Sequence, residues 1–290
     1  MPTTDSSAVL ARGRGAIITG AASGIGFAAA RRFVTLGMRV CIADLDAAAL
    51  EAAAVELAGL APGGTAEVLS VRADVSSPAE VDRLASAAFG RFGDIAVLMN
   101  NAAAFEGGDS FSDKDAWRHL LEVNVLGVLN GVQRIGRAMI DQGKPGAIIN
   151  TGSKQGITSP PGNTAYNVTK AAVKSLTEGL AHTLRNIPGC LITAHLLIPG
   201  FTYTGNMAKR VSKKPAAAWL PEQVAERLIE GLVRNEFYIL CQDNETTRDQ
   251  DERRILWAAG DIVENRSALS RWDPEYKEAF DAFMAAARHR

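Results

Sequence analysis

Seven short apolar or β-branched runs punctuate the chain: Ala16 to Thr19, Val40 to Ala43, Val68 to Arg72, Ile95 to Met99, Ala147 to Asn150, Leu191 to Ile198 and Phe237 to Cys241. Each has the length of a strand and is shorter than an ordinary helix. Between the runs, apolar positions return with helical spacing. One helix has a written start, because Ser77-Pro-Ala-Glu80 combines a capping serine, proline at the first helical position and glutamate three residues past the cap. Strand and helix therefore alternate. Alternation predicts an α/β, doubly wound fold with a seven-stranded parallel sheet covered on both faces, and a ligand crevice at the carboxyl ends of the strands.

The first of these units carries a glycine turn. Gly15-Ala-Ile-Ile-Thr-Gly20 reads as a strand, and Ala21-Ala-Ser-Gly-Ile-Gly26 as a loop feeding a helix that runs to about Leu36. Glycines at 20, 24 and 26 allow a tight turn and bring the helix against the sheet. They also leave the N–H groups of the helix start, at Ser23, Gly24, Ile25 and Gly26, free for a pyrophosphate. The spacing is not G-x-G-x-x-G. The second strand ends in Asp44, at the separation where a carboxylate accepts the adenosine ribose hydroxyls. A carboxylate there repels a 2'-phosphate, which favours NAD over NADP. Ser23 and Leu45 occupy the two places where a basic residue would greet that phosphate.

A second cluster concerns proton transfer. Tyr166-Asn-Val-Thr-Lys170 puts a phenol and an ammonium four residues apart, on one face of a helix, with Ser153 thirteen residues upstream. A cation beside a phenolate stabilises it. Lowering a phenol from about 10 to about 7 is worth roughly 4 kcal/mol, so a second helper is needed, and an oxidised nicotinamide is a natural one. Taken alone, the pentapeptide also fits an ordinary amphipathic helix.

With these motifs in place, the chain resembles the short-chain dehydrogenase/reductase family in its single-domain Rossmann form, from about residue 13 to residue 242. Thr19-Gly-Ala-Ala-Ser-Gly-Ile-Gly26 matches the family's T-G-x-x-x-G-x-G loop, and Asn100-Asn-Ala-Ala103 its N-N-A-G motif, with alanine replacing the last glycine. Asn124, Ser153, Tyr166 and Lys170 match its catalytic Asn-Ser-Tyr-Lys set in order and spacing. The resemblance implies that Tyr166 is the acid/base, that Ser153 holds the substrate oxygen, and that Lys170 both lowers the Tyr166 pKa and holds the nicotinamide ribose. It implies that Asn124 distorts its helix and orders a water that relays protons from Lys170. The bland reading of Asn124 is a local helix bond. Asn101 and Ala102 are implied to lie beside the cofactor, Asp74 to contact the adenine amino group with Val75 adding a backbone contact, and Pro199, Gly200, Thr202 and Thr204 to meet the nicotinamide carboxamide. Asp74 also reads as a strand-ending residue that starts a turn.

Composition agrees with one globular enzyme. The 290 residues are 47% hydrophobic and 22% charged, with a formal net charge of −1, which supplies no field for a nucleic acid. The tract Lys209-Arg-Val-Ser-Lys-Lys214 reads as a solvated loop, or as a contact for an acidic substrate. Three cysteines without a C-x-x-C pair, two of them in strand-like runs, fit a reduced cytoplasmic setting and buried thiols. The four histidines show no ligand spacing, so no metal is expected, and His195 reads as a satisfied histidine in a strand. No signal peptide or membrane span is expected. Residues 1–12 read as a loose leader, 13–245 as the catalytic domain and 246–290 as a C-terminal helical extension. Trp257, Trp272, Phe280 and Phe283 anchor that extension, packed on its own domain or on an oligomer partner, with a lid as the sharper alternative. The resemblance also implies a homotetramer or homodimer.

The substrate is a small molecule. In the family, specificity lies in three variable stretches, which here contain Phe105, Gln155, Phe201, Met207 and Trp219. They predict a mostly apolar pocket, and a secondary alcohol or ketone on a hydrophobic frame rather than a sugar. Glu106 and Asp109 read as substrate contacts or as ordinary loop residues. Three function classes stand: an NAD-dependent alcohol dehydrogenase or ketone reductase, an isomerase or dehydratase that uses bound NAD transiently, and a non-enzymatic NAD-responsive binding protein. The intact four-residue set favours the first.

Overall fold

Each apolar run becomes a strand, because a parallel sheet covered on both faces has no polar side to offer. A computed structural model describes residues 6–205, 211 and 213–286. Its strands are β1 (Gly15–Thr19), β2 (Arg39–Asp44), β3 (Val68–Arg72), β4 (Ile95–Asn100), β5 (Gly146–Thr151), β6 (Ile192–Ile198) and β7 (Tyr238–Leu240). All pair in parallel, in the order β3-β2-β1-β4-β5-β6-β7. β1, β4 and β5 are buried at every position. The edge strand β7 is shorter than its apolar run, yet the ladder continues past both ends: Leu196 N donates to Phe237 O and Cys241 N to Ile198 O. Cys41 and Cys241 are buried thiols.

The helices are α1 (Gly24–Thr35), α2 (Ala47–Leu60), α3 (Pro78–Phe92), α4 (residues 114–141), α5 (Thr164–Arg185), α6 (Pro221–Val233), α7 (Arg248–Val263) and α8 (Lys277–Ala285). Successive strand residues point to opposite faces. Thus Ile18, Ile42 and Ile149 pack with Phe33 of α1, Leu57 of α2 and Leu228 of α6, whereas Ile17, Cys41 and Ile148 pack with Leu84 of α3, Ile135 of α4 and Leu184 of α5. The Ser77 hydroxyl accepts from Glu80 N, as its motif predicts. The reciprocal half of the box differs, because the Glu80 carboxylate accepts from Asp74 N at 2.8 Å instead. The turn from 74 to 77 presents that N–H to the side chain.

Buried polar side chains bind the sheet to the helix that carries Tyr166. Asn100 Nδ2 donates to Asn150 Oδ1 at 2.9 Å, and Asn150 Nδ2 donates to Thr177 Oγ1 of α5 at 3.0 Å. His195 is a satisfied strand histidine, with Nδ1 2.8 Å from Glu236 O and Nε2 2.8 Å from Thr193 Oγ1. Burial lowers its pKa.

The described part of the expected leader is docked. Ser6–Val9 form one helical turn, Val9 joins the core, and Arg14, paired with Asp94 at 2.8 Å, donates to Ala8 O. Residues 1–5 lie outside the described residues. No helix among those described is long and apolar enough to cross a membrane.

Within the C-terminal extension, aromatic side chains pack on one another. Trp257 of α7 is 5% exposed and lies edge-on to Phe280 and tilted to Phe283 of α8, with centroids 5.3 and 5.2 Å apart. The Arg266 guanidinium sits 3.9 Å above its ring, and its indole N–H donates to Ser270 Oγ at 2.7 Å. Truncating such a residue leaves a cavity and removes one of the two partners of the Ser270 hydroxyl, which keeps its bond to Asp261 Oδ1. Trp257→Ala is expected to cost about 3–5 kcal/mol in urea unfolding followed by circular dichroism. A loss below about 1 kcal/mol would show that the extension contributes little to the folded domain.

Candidate active site

The strand order turns back between β1 and β4, and this opens a crevice at the carboxyl ends of the strands. Gly20 ends β1 with φ +64, and a Cβ there would meet Ala102 Cα at 2.7 Å. At Gly26 a Cβ would fall 2.3 Å from Gly20 O, so only glycine lets α1 approach the strand end this closely. The N-cap of α1, Ser23, makes no side-chain cap bond, and the first turn holds no acid. The helix start thus keeps free N–H groups and its partial positive charge for an anion. Thr204 Cγ2 would lie 3.4 Å from a Cβ on Gly24, which brings the segment after Pro199-Gly200 across from the glycine loop.

Asp44 ends β2 beside that loop. Its carboxylate accepts from Ala22 N at 3.1 Å and Leu45 N at 2.8 Å, which fixes its orientation. Leu45 is exposed. Arg72 stands in register with Asp44 on β3 and is exposed, a basic neighbour that sequence reading passed over because it belongs to another strand. Asp74 spends one carboxylate oxygen on the Ser76 N–H and hydroxyl, at 2.9 and 2.7 Å, so it does begin a turn. The Val75 carbonyl accepts from Asn130 Nδ2 at 2.9 Å.

Asn101 closes the floor of the crevice. Its Nδ2 donates to Thr19 O and Gly20 O at 3.1 Å each, and its Oδ1 accepts from Thr151 Oγ1 at 3.3 Å. Ala102 N donates to Thr19 Oγ1 at 3.2 Å. Asn124 is fully buried in a π-wound turn of α4, Glu122–Leu126. Both ends of its amide hold Ala104, with Oδ1 accepting from Ala104 N at 2.7 Å and Nδ2 donating to Ala104 O at 3.0 Å. Nδ2 also donates to Thr169 Oγ1 at 3.1 Å. The alanine at 103 therefore sits in a loop clamped one residue on.

The chemical groups meet where β5 runs into α5. Asn163 caps α5, accepting from Tyr166 N at 3.2 Å, and its amide donates to Phe105 O at 3.3 Å. The Tyr166 ring is 8% exposed and stacks on Phe105, with centroids 5.4 Å apart. Burial pushes its phenol up to about 12, and a hydrogen bond with Ser153 works in the opposite direction. Ser153 Oγ also accepts from Gln155 N at 3.1 Å. Lys170 is buried, its Nζ donates to Thr151 O at 2.8 Å, and burial pushes the ammonium down to about 8. Nζ lies 5.7 Å from the centre of the Tyr166 ring. Desolvation therefore dominates both groups.

Pro199 O accepts from Lys154 N at 3.1 Å, and Thr202 pairs with Trp219 in a short parallel bridge. Trp219 is partly buried and packs against the sheet core beside α1. Met207 lies outside the described residues, as do Lys209, Arg210 and Ser212 of the basic tract. Asp109 accepts from Phe111 N and Ser112 Oγ and behaves as a turn residue. Sequence reading missed the partners of Lys154, whose Nζ pairs with Asp251 at 2.6 Å and Asp243 at 3.2 Å. No local spacing signals a contact across 89 residues.

Comparison with known proteins agrees with this geometry. The family model described as short chain dehydrogenase matches residues 14–215. The 3beta-hydroxysteroid dehydrogenase 2 of Eggerthella lenta is 34% identical over 194 residues, 66% of this chain and 72% of that one. The galactitol 2-dehydrogenase (L-tagatose-forming) of Cereibacter sphaeroides is 34% identical over 204 residues, 69% of this chain and 75% of that one. The crystal structure of a short chain dehydrogenase/reductase from Burkholderia phymatum in complex with NAD superposes with a TM-score of 0.79 at 35% identity, covering 88% of this chain and 96% of that one. The chain belongs to the short-chain dehydrogenase/reductase family, as an oxidoreductase acting on CH–OH groups with an NAD(P) cofactor.

Proposed function

We propose that this protein is an NAD-dependent dehydrogenase that interconverts a secondary alcohol and a ketone on a mostly apolar carbon frame, with Tyr166 as general acid/base. The observation that carries the reading is that Lys170 Nζ lies 5.7 Å from the centre of the buried Tyr166 ring and donates to Thr151 O, two residues before Ser153, in the crevice beside the uncapped glycine helix. NAD, when bound, accepts the hydride from the alcohol carbon. The chain's residues do the rest. Tyr166 Oη takes the hydroxyl proton during oxidation and returns it during reduction. Ser153 Oγ donates to the substrate oxygen and holds the charge that develops there. Lys170 gives one of its three donors to Thr151 O, so two remain for the nicotinamide ribose hydroxyls. Asn124 bonds Thr169, the residue before Lys170, and so supports a relay role as well as fixing the loop at Ala104.

The preference for NAD rests on Asp44, which is held toward the glycine loop by Ala22 N. The apolar frame rests on Phe105, which covers the Tyr166 ring, and on the half-exposed Phe201. One relative is named for a steroid and the other for a sugar alcohol, so the pocket walls carry this part of the reading.

Two substitutions test the assignments. Tyr166→Phe is expected to keep NADH binding, measured by fluorescence, and to lower turnover of hydrophobic secondary alcohols by at least about a hundredfold. Near-normal turnover in that variant would sink the role of Tyr166, and faster wild-type turnover of polyols than of hydrophobic alcohols would sink the apolar frame. Asp44→Ala removes a ribose acceptor and a repulsive charge while leaving Arg72 in place. It is expected to narrow the preference for NAD over NADP by at least about tenfold in kcat/KM. An unchanged ratio would show that Asp44 does not read the ribose.

A further inference from the structure

A cavity of about 270 Å³ lies between the turn that follows Ser153 and the C-terminal extension. Gln155 and Thr158 line one wall, and Arg254, Arg271 and Trp272 line the other. Lys154 and Asp251 also face it, but their charges answer each other, since Lys154 Nζ lies 2.6 Å from Asp251 Oδ2 and 3.2 Å from Asp243 Oδ2. The lysine and the two acids together carry −1, and the two arginines carry +2. One positive charge is left over.

The arginines have few polar partners. Arg254 reaches a neutral hydroxyl, Thr246 Oγ1, at 3.2 Å through Nη1. Its Nε is buried, with no hydrogen-bond partner among the described residues. The described partners of Arg271 are aromatic: its guanidinium lies 4.8 Å from the Trp272 ring centre and 5.5 Å from that of Phe280. Burial, with the charge of Arg254 added, pushes Arg271 down to about 10, while the Asp251 carboxylate, already paired with Lys154, works in the opposite direction. Two guanidinium groups turned toward one cavity repel each other and lose solvation. An anion between them would offset both costs, and planar guanidinium groups suit carboxylate and phosphate oxygens.

We propose that this cavity is an oxyanion site, in which Arg254 and Arg271 bind a carboxylate or phosphate group. The anion has two chemical sources. It is either a carboxylate carried by the substrate, since Gln155 joins this cavity to the turn that bears Ser153, or a free small anion that tunes that turn.

Calorimetric titration of the full chain with inorganic phosphate and with succinate, at fixed pH and ionic strength, tests the site. The wild type should show one saturable site for at least one probe. Arg254→Gln and Arg271→Gln should each weaken it by at least about tenfold. Circular dichroism and NADH binding should stay as in the wild type, which separates a lost ligand from a lost fold. Absence of saturable binding in the wild type, or equal binding in both variants, overturns the proposal. Kinetics with matched alcohols, with and without a distal carboxylate, then separate the sources. A loss confined to the carboxylated alcohol in Arg271→Gln marks a substrate-borne anion, whereas a phosphate effect on the neutral alcohol that vanishes in the variant marks a free one. Because the titration reads binding without turnover, its failure is distinct from failure of the dehydrogenase reading.

Discussion

The constraint on which the rest of the structure depends is the double-sided burial of the central strands. β1, β4 and β5 offer no solvent-facing position, so polar chemistry is confined to their carboxyl ends. At those ends the chain places Gly20, Asn101 and Ser153, and Asn101 is bonded to Gly20 O, Thr19 and Thr151. A buried N–H or C=O without a partner is costly, and here side chains from neighbouring strands meet that need. The bonds that complete the backbone thus also form the crevice floor. Rigidity of the floor follows from the same accounting, because each amide in it is already committed.

Desolvation is the second determinant, and it moves Tyr166 and Lys170 away from their ionised forms. The phenol rises to about 12 and the ammonium falls to about 8, each driven first by burial. Ser153 alone among the described neighbours pulls the phenol back. A site built this way is sensitive to any positive charge brought into it, since charges act strongly where water is excluded. A cation brought into the crevice would therefore favour the ionised phenol of Tyr166.

Much of this was legible in the sequence, for identifiable reasons. Strand positions follow from apolar runs, since burial on both faces leaves no other composition. The glycine loop and the Ser-Tyr-Lys spacing are local signals, set by one turn or one helix face. Residues whose roles depend on a partner far along the chain were not legible. Arg72 reads as a strand end until its register with Asp44 is known, and nothing local to Lys154 announces its pairing with Asp243 and Asp251. The leader looked loose because its eight or so polar and small residues carry no period, yet Val9 finds a place in the core through Arg14.

The C-terminal extension shows how far such long-range partners reach into the site. Asp251 of α7 and Asp243, just past β7, hold one lysine, and that lysine is the residue immediately after Ser153. The same lysine's N–H is bonded to Pro199 O, and its side chain would lie 2.9 Å from a Cβ on Gly200. A side chain at 200 would press on the end of that lysine. One ion-paired side chain thus joins the substrate turn, the segment after β6 and the extension. The aromatic cluster around Trp257 holds α8 against α7, while Ile255 packs α7 on the domain and Asp251 pairs with Lys154. Packing well outside the crevice in this way sets the position of a backbone that Ser153 shares.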